Sequence, residues 1–323
     1  MPDELWLARR TRMSQVNDRP RLRDMRRLVD KRPFTPTAAF DHPRAQATSL
    51  EELANRQGYD KNFLSKIVVP LPAPVGDLFE DVTPVAGSEE GSLDYTHFSI
   101  VMSRSRRLAI FTALNLDGRE LVDVPRENDD WRFDPRLAED RQVGESLYAR
   151  NPLDRGHLVR RTSANWGSDA EQANADTFHF TNCTPQMAGF NQQTWLGLED
   201  YLLEHARADR QRISVFTGPV FREGDRRYRG VQIPEAYWKV VAFMGEDERP
   251  SATAYMIEQA DDLDQLGFMF GQYKTYQRSV ARIETLTQLD FGELANFDGF
   301  SNEERETGTR IEAEIRGPSD IRI

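Results

Sequence analysis

The chain has 323 residues, 38% of them hydrophobic, a formal net charge of −11 at pH 7 and a mean hydropathy of −0.67. That length carries one large domain or two small ones, the hydropathy fits a soluble protein, and no apolar run of about 18 residues is present to span a membrane. The negative charge argues against a general nucleic-acid binder, whose affinity comes from Lys and Arg, and the single Cys183 excludes an internal disulfide and fits a reducing compartment.

The first 45 residues read as a basic arm. Residues 1–44 hold 11 Lys and Arg against 6 Asp and Glu, which leaves 31 against 47 for the rest. Leu22, Met25, Leu28 and Val29 recur at helical spacing, and Pro33, Pro36 and Pro43 end that pattern. The arm is expected to pack on the body or a second subunit, or else to contact nucleic acid or a partner protein. Met1-Pro2-Asp3-Glu4-Leu5-Trp6 lacks the basic-then-apolar layout of a secretory signal, so a cytoplasmic location is expected. Thr48 and Ser49, each with a Glu three residues on, predict a capped helix ending near Gly58. Residues 67–92 predict surface loop. Strand-like runs follow at 97–102, 107–115, 213–221, 237–244 and 252–258, with the strongest helix pattern at 190–205. These predict an α+β fold with a central, mainly antiparallel sheet flanked by helices. Residues 261–295 predict a helix before Ile283 and a strand-like turn to Phe291, and 296–323 read as a polar tail.

The stretch that carries chemistry is Asp154-Arg155-Gly156-His157, read with Asn182, Asn191 and Glu199. An imidazole can take a proton from water near neutral pH, a guanidinium matches phosphate geometry, and amide and carboxylate oxygens suit Mg²⁺ with its retained waters. Asn191, Trp195 and Glu199 are spaced four and four, along one face of the predicted helix. Gly156 implies a turn or a close backbone approach.

These residues, together with Thr177-Phe178, Asn182-Cys183-Thr184-Pro185-Gln186, Asn191-Gln192-Gln193-Thr194-Trp195, Leu198-Glu199, Thr217-Gly218-Pro219, Pro234–Lys239 and Ile283-Glu284, resemble the DNA/RNA non-specific endonucleases, the ββα-metal nucleases. The similarity covers roughly residues 90 to 291. It implies a His-Me finger nuclease domain over 46–295. It implies a Mg²⁺- or Mn²⁺-dependent, sugar-non-specific endonuclease that leaves 5′-phosphate and 3′-hydroxyl ends and often forms a homodimer.

On that resemblance His157 is the general base, Asn191 the direct metal ligand, and Glu199 a second metal contact through water. Asn182 is expected to line the same cleft, or to satisfy its own loop. Asp154 is expected to orient its neighbours. Arg155 either contacts substrate phosphate or bridges to an acid. Arg126, 28 residues before Asp154, matches the family's catalytic arginine; Arg106 and Arg107 are rivals, and a surface pair with Asp129 or Asp130 is the plain alternative. Lys239 reads as a structural partner for a sheet-edge carboxylate rather than a substrate contact. His42, His97, His179 and His205 match no catalytic block, and no second catalytic set surrounds Cys183. After His157 the chain runs Leu158-Val159-Arg160-Arg161 where many relatives carry small apolar residues, and the two arginines extend the phosphate-binding charge. A soluble nuclease needs control, so an inhibitor or regulatory protein is an expected partner. A catalytically silent nucleic-acid-binding module on the same fold, and an enzyme for another phosphodiester, are the rival readings.

Overall fold

The computed structural model describes residues 45–126, 129–187, 196–245, 247–259, 274–315 and 320. The basic arm, Asn191 and the first turn of the predicted 190–205 helix lie outside them. In chain order the strands are β1 (Ala73–Pro74), β2 (Ser92–Asp94), β3 (Phe98–Met102), β4 (Ala109–Asp117), β5 (Leu153–His157), β6 (Cys183–Met187) and β7 (Arg212–Val220). They continue with β8 (Arg226–Tyr228), β9 (Val231–Ile233), β10 (Ala236–Met244), β11 (Pro250–Glu258), β12 (Lys274–Arg278), β13 (Leu289–Asp290) and β14 (Glu312–Ile315). The helices used below are α1 (Leu50–Leu53), α2 (Asp77–Glu80), α3 (Glu145–Tyr148), α4 (Arg161–Ala164), α5 (Ala170–Asp176), α6 (Leu196–Ala208), α7 (Val280–Thr287) and α8 (Gly299–Thr307).

Eight strands form one antiparallel sheet in the order β14-β12-β11-β10-β7-β4-β3-β2. Its central strands are apolar on both faces because both faces are covered. Along β10, Tyr237 and Val241 enter one core with Leu114, Val215, Leu158 and Leu198. The alternate residues Trp238, Val240 and Ala242 enter a second core with Phe63, Phe216, Ile283 and Phe291. The period of two thus divides one strand between two layers, and each buried aromatic contributes its area to a different one. The first core puts α6 over the sheet; the second packs α7 and residues 63–69 on the opposite face. Lys239 falls between Tyr237 and Val241 in the alternation, so it lies on the α6 face, in register with Thr217 of β7.

The predicted main strands match β3, β4, β7, β10 and β11 within about three residues at either end. The capping box forms as predicted: Ser49 Oγ accepts from the Glu52 N–H at 3.1 Å, and Glu52 accepts from the Ser49 N–H at 2.8 Å. Its helix, α1, ends at Leu53, well before Gly58. The stretch predicted as loop at 67–92 also holds β1 and α2. The stretch read as a polar tail supplies α8 and the edge strand β14, because Asp298 caps α8 and Glu312–Ile315 pairs with β12. Among the described residues, no helix is long and apolar enough to cross a membrane.

Candidate active site

The Asp-Arg-Gly-His stretch is β5, and it pairs antiparallel with β6 over its whole length, from Leu153↔Met187 to His157↔Cys183. This ribbon stands apart from the large sheet. Gly156 serves close approach rather than a turn: a Cβ there would meet Gln186 Oε1 at 2.1 Å, and Gln186 is fully buried. Downstream of β6, α6 returns Glu199 to the same region, completing a strand–strand–helix arrangement.

His157, Arg126, Arg155 and Glu199 line one cavity of about 570 Å³, with Asp129 and Asp154 among the other walls. The six come from a loop, from β5 and from α6. Of the expected site residues, these four are brought together, and Asp154, expected to orient its neighbours, shares the wall. Asn191 lies outside the described residues. Asn182 is placed beneath the cavity, not on its wall. Its side chain is fully buried: Oδ1 accepts from the Val159 N–H at 2.9 Å, and Nδ2 donates to Val159 O at 3.0 Å and Thr177 O at 2.9 Å. A buried amide engaged with three backbone groups fixes the segment that leaves His157, as in the reading in which Asn182 satisfies its own loop.

The His157 ring lies 4.8 Å from Trp131 and edge-on to Phe178 at 5.2 Å, centroid to centroid. Its Nε2 is buried with no hydrogen-bond partner among the described residues. Burial pushes its pKa down to about 4; the Asp129 carboxylate opposes that shift, and Arg126, Arg161 and Arg155 add to it. The imidazole is therefore neutral at pH 7, with a lone pair or proton that the protein leaves unused. Trp131 and Phe178 had no role in the sequence reading as the ring's packing partners. Nothing in a local pattern reveals that two distant aromatics will flank one imidazole.

Arg126 makes a two-pronged pair with Asp129, Nε to Oδ1 at 3.0 Å and Nη2 to Oδ2 at 2.6 Å, so the pairing weighed as the plain alternative coexists with a place on the cavity wall. Arg155 donates to Glu145 of α3 at 2.5 Å and lies over the Trp131 ring. The rivals are placed elsewhere: Arg106 is held by buried Asp225 at 2.8 Å and by Arg222 O, and Arg107 donates to Gly230 O. Neither lines the cavity. Cys183 is buried behind the ribbon against Tyr148, and burial pushes its thiol up to about 12, far from a nucleophile's range.

Glu199 is 8% exposed, and its carboxylate faces Lys239 Nζ at 3.4 Å; Nζ also donates to Thr217 Oγ1 at 2.8 Å. Burial raises the Glu199 carboxyl above the ordinary range, and Lys239 and Arg160 pull it back. Burial likewise lowers the Lys239 ammonium against the pull of Glu199. Lys239 thus partners a helix carboxylate from a central strand, not a sheet-edge one. Among the described residues, no three His, Cys, Asp or Glu side chains gather as a metal cluster. The carboxylates of Asp154 and Glu199 on the cavity wall are hard oxygen donors of the kind that suit a hydrated Mg²⁺ or Mn²⁺ ion.

The sequence pattern of the DNA/RNA non-specific endonucleases matches residues 74–297. The chain belongs to that family. It is 37% identical over 286 residues to protein y4fB of Sinorhizobium fredii, covering 81% of this chain and 43% of that protein. It is 28% identical to a nuclease of Nostoc sp., covering 60% of this chain and 70% of the relative. Human mitochondrial endonuclease G is 32% identical over 99 residues, which is 31% of this chain and 32% of that protein. The chain thus spans less than half the length of two of these three relatives. Among solved structures, EndoG in a complex with EndoGI, reported as the mechanism of EndoG inhibition, superposes with a TM-score of 0.50 at 17% identity, covering 63% of this chain and 86% of that one. That likeness is one of fold, and it agrees with the ribbon and helix that frame the cavity of this endonuclease-family chain.

Proposed function

We propose that this chain is a Mg²⁺- or Mn²⁺-dependent endonuclease that hydrolyses phosphodiester bonds in both DNA and RNA, leaving 5′-phosphate and 3′-hydroxyl ends. The observation that carries the proposal is the Nε2 of a neutral His157, without a partner among the described residues, inside a cavity that also holds Arg126, Arg155 and Glu199. In this reading His157 Nε2 takes a proton from the water that attacks phosphorus. Arg126 and Arg155 hold the phosphate oxygens as negative charge builds on them, each exchanging part of its present carboxylate pairing for substrate. Asn191 would hold the metal ion directly and Glu199 through a water, with Lys239 fixing the Glu199 carboxylate from below. When bound, the ion supplies positive charge to the scissile phosphate and the leaving oxygen. Trp131 and Phe178 exclude bulk water from the imidazole. A homodimer and an inhibitory partner protein, in a cytoplasmic setting, belong to the same proposal.

Supercoiled plasmid and structured RNA, incubated with the protein and Mg²⁺, test it directly. Both are expected to be cut, EDTA to stop the cutting, and His157→Ala to lower the rate about 10²–10⁴-fold, the usual worth of a general base. Undiminished cutting by His157→Ala would remove the histidine from its role. Binding without cleavage under every metal condition would point to a silent module.

A further inference from the structure

Four arginines, Arg126, Arg155, Arg160 and Arg161, face the cavity. Three of them are answered by carboxylates: Arg126 by Asp129, Arg155 by Glu145, and Arg160 by Asp200 at 2.6 Å. Arg161 is held differently. Its Nη1 donates to Val124 O at 2.8 Å and to Asn174 Oδ1 at 2.9 Å, both neutral acceptors. Among the described residues, it forms no ion pair, and its Nε and Nη2 make no hydrogen bond. Burial, Arg126 and Arg160 all act against its charge, with only Asp129 in its favour. A partly buried guanidinium, anchored by one nitrogen and crowded by like charge, is short of an anion. The Nε–Nη2 edge it leaves open is the fork that accepts two oxygens of one phosphate.

In the reading above, Arg126 and Arg155 serve the phosphate that is cut. We propose that Arg161 binds a second phosphate of the substrate, adjacent to the scissile one, so that the cavity selects a polymeric phosphodiester over a small single diester. This rests on the nuclease reading and narrows its substrate class. It also gives a use to the second of the two arginines that follow His157 so closely. Arg160 flanks the same position, but its charge is already answered by the Asp200 carboxylate.

The test compares a short oligonucleotide with bis(4-nitrophenyl) phosphate, a single diester. Arg161→Gln is expected to raise the oligonucleotide KM about tenfold with kcat little changed, the size of one charged hydrogen-bond contact. The ratio of kcat/KM between the two substrates should fall by the same factor. In a His157→Ala background, fluorescence polarisation should show the slope of log Kd against log salt shrinking by about 0.7–0.9, one phosphate's worth, and Arg161→Lys should recover most of it. Equal losses on both substrates, or an unchanged salt slope, would overturn the assignment. If Arg161→Gln does not fold, the wild-type protein still decides. A dinucleoside monophosphate should bind more weakly than the same compound with one extra terminal phosphate, and equal affinities would sink the proposal. If the wild-type protein cuts neither substrate, the nuclease reading fails, while the polarisation slopes still report on the second phosphate by themselves.

Discussion

His157 is held where an imidazole stays neutral, wedged between Trp131 and Phe178, with Nε2 making no hydrogen bond among the described residues. Its folded pKa of about 4 lies below the ordinary value near 6.5. The folded form therefore binds fewer protons than the unfolded chain between those two values. The neutral ring's share of stability is complete above about pH 6.5 and is lost as pH falls through about 4. Two further histidines, half-buried His97 and buried His179, are lowered in the same direction by burial and steepen the trend. Urea midpoints should thus climb between pH 4.5 and 6.5, and should climb less in His157→Gln. A flat midpoint across that range, or an identical climb in the variant, would show the ring to be solvated. The same lowered value predicts that the acid limb of kcat/KM lies nearer 4 than 6.5, because the base keeps its lone pair down to that pH. That Asp154, Arg155 and His157 share one place was legible in the sequence because their motif is local. The aromatic setting was not, since it depends on residues 131 and 178 arriving from other segments.

Strands and helices were legible to the degree that one neighbour decides them. β3, β4, β7, β10 and β11 are long apolar runs whose burial follows from their own composition. β5 and β6 gave no such signal. Their residues are mixed polar and apolar, and their pairing satisfies a two-stranded ribbon whose side chains serve the cavity. β14 was hidden in a polar stretch because an edge strand needs only a partner's hydrogen bonds. Lys239 shows what an element can impose on a single residue. The alternation of β10 leaves its side chain no exit to water, and α6 supplies Glu199 as its counter-charge. Removing one member of such a buried pair strands the other. Lys239→Met should cost about 3–5 kcal/mol by chemical denaturation, and Lys239→Met with Glu199→Gln together should recover much of it. The double variant would still lack the carboxylate proposed to hold the metal ion through a water. Stability restored without activity would separate the two duties of Glu199; activity restored with stability would show the carboxylate to be dispensable.

At the scale of the molecule, the family pattern begins at residue 74, yet the described fold begins at 45. Residues 45–72 are built into it. Thr48 Oγ1 hydrogen-bonds His179 Nε2 at 2.8 Å, and Arg56 pairs with buried Asp176 through Nε at 2.7 Å and Nη2 at 3.1 Å. Asp176 caps that arrangement by accepting from Thr96 N–H and Oγ1, so α5 and the β2–β3 corner share one carboxylate with this segment. Phe63, Leu64 and Val69 fill the second core beside Phe216 and Trp238. Each of those side chains is worth about 1.5–3 kcal/mol by burial alone, and the total stability of a domain is about 5–15 kcal/mol. Removing three of them, with the Arg56 pair, consumes most or all of that margin. A chain starting at residue 45 should therefore unfold cooperatively on heating, whereas one starting at residue 73 should show no cooperative transition and should expose its core to a hydrophobic dye. Equal melting transitions in the two chains would mean that residues 45–72 are an appendage and that the sheet closes its second core without them.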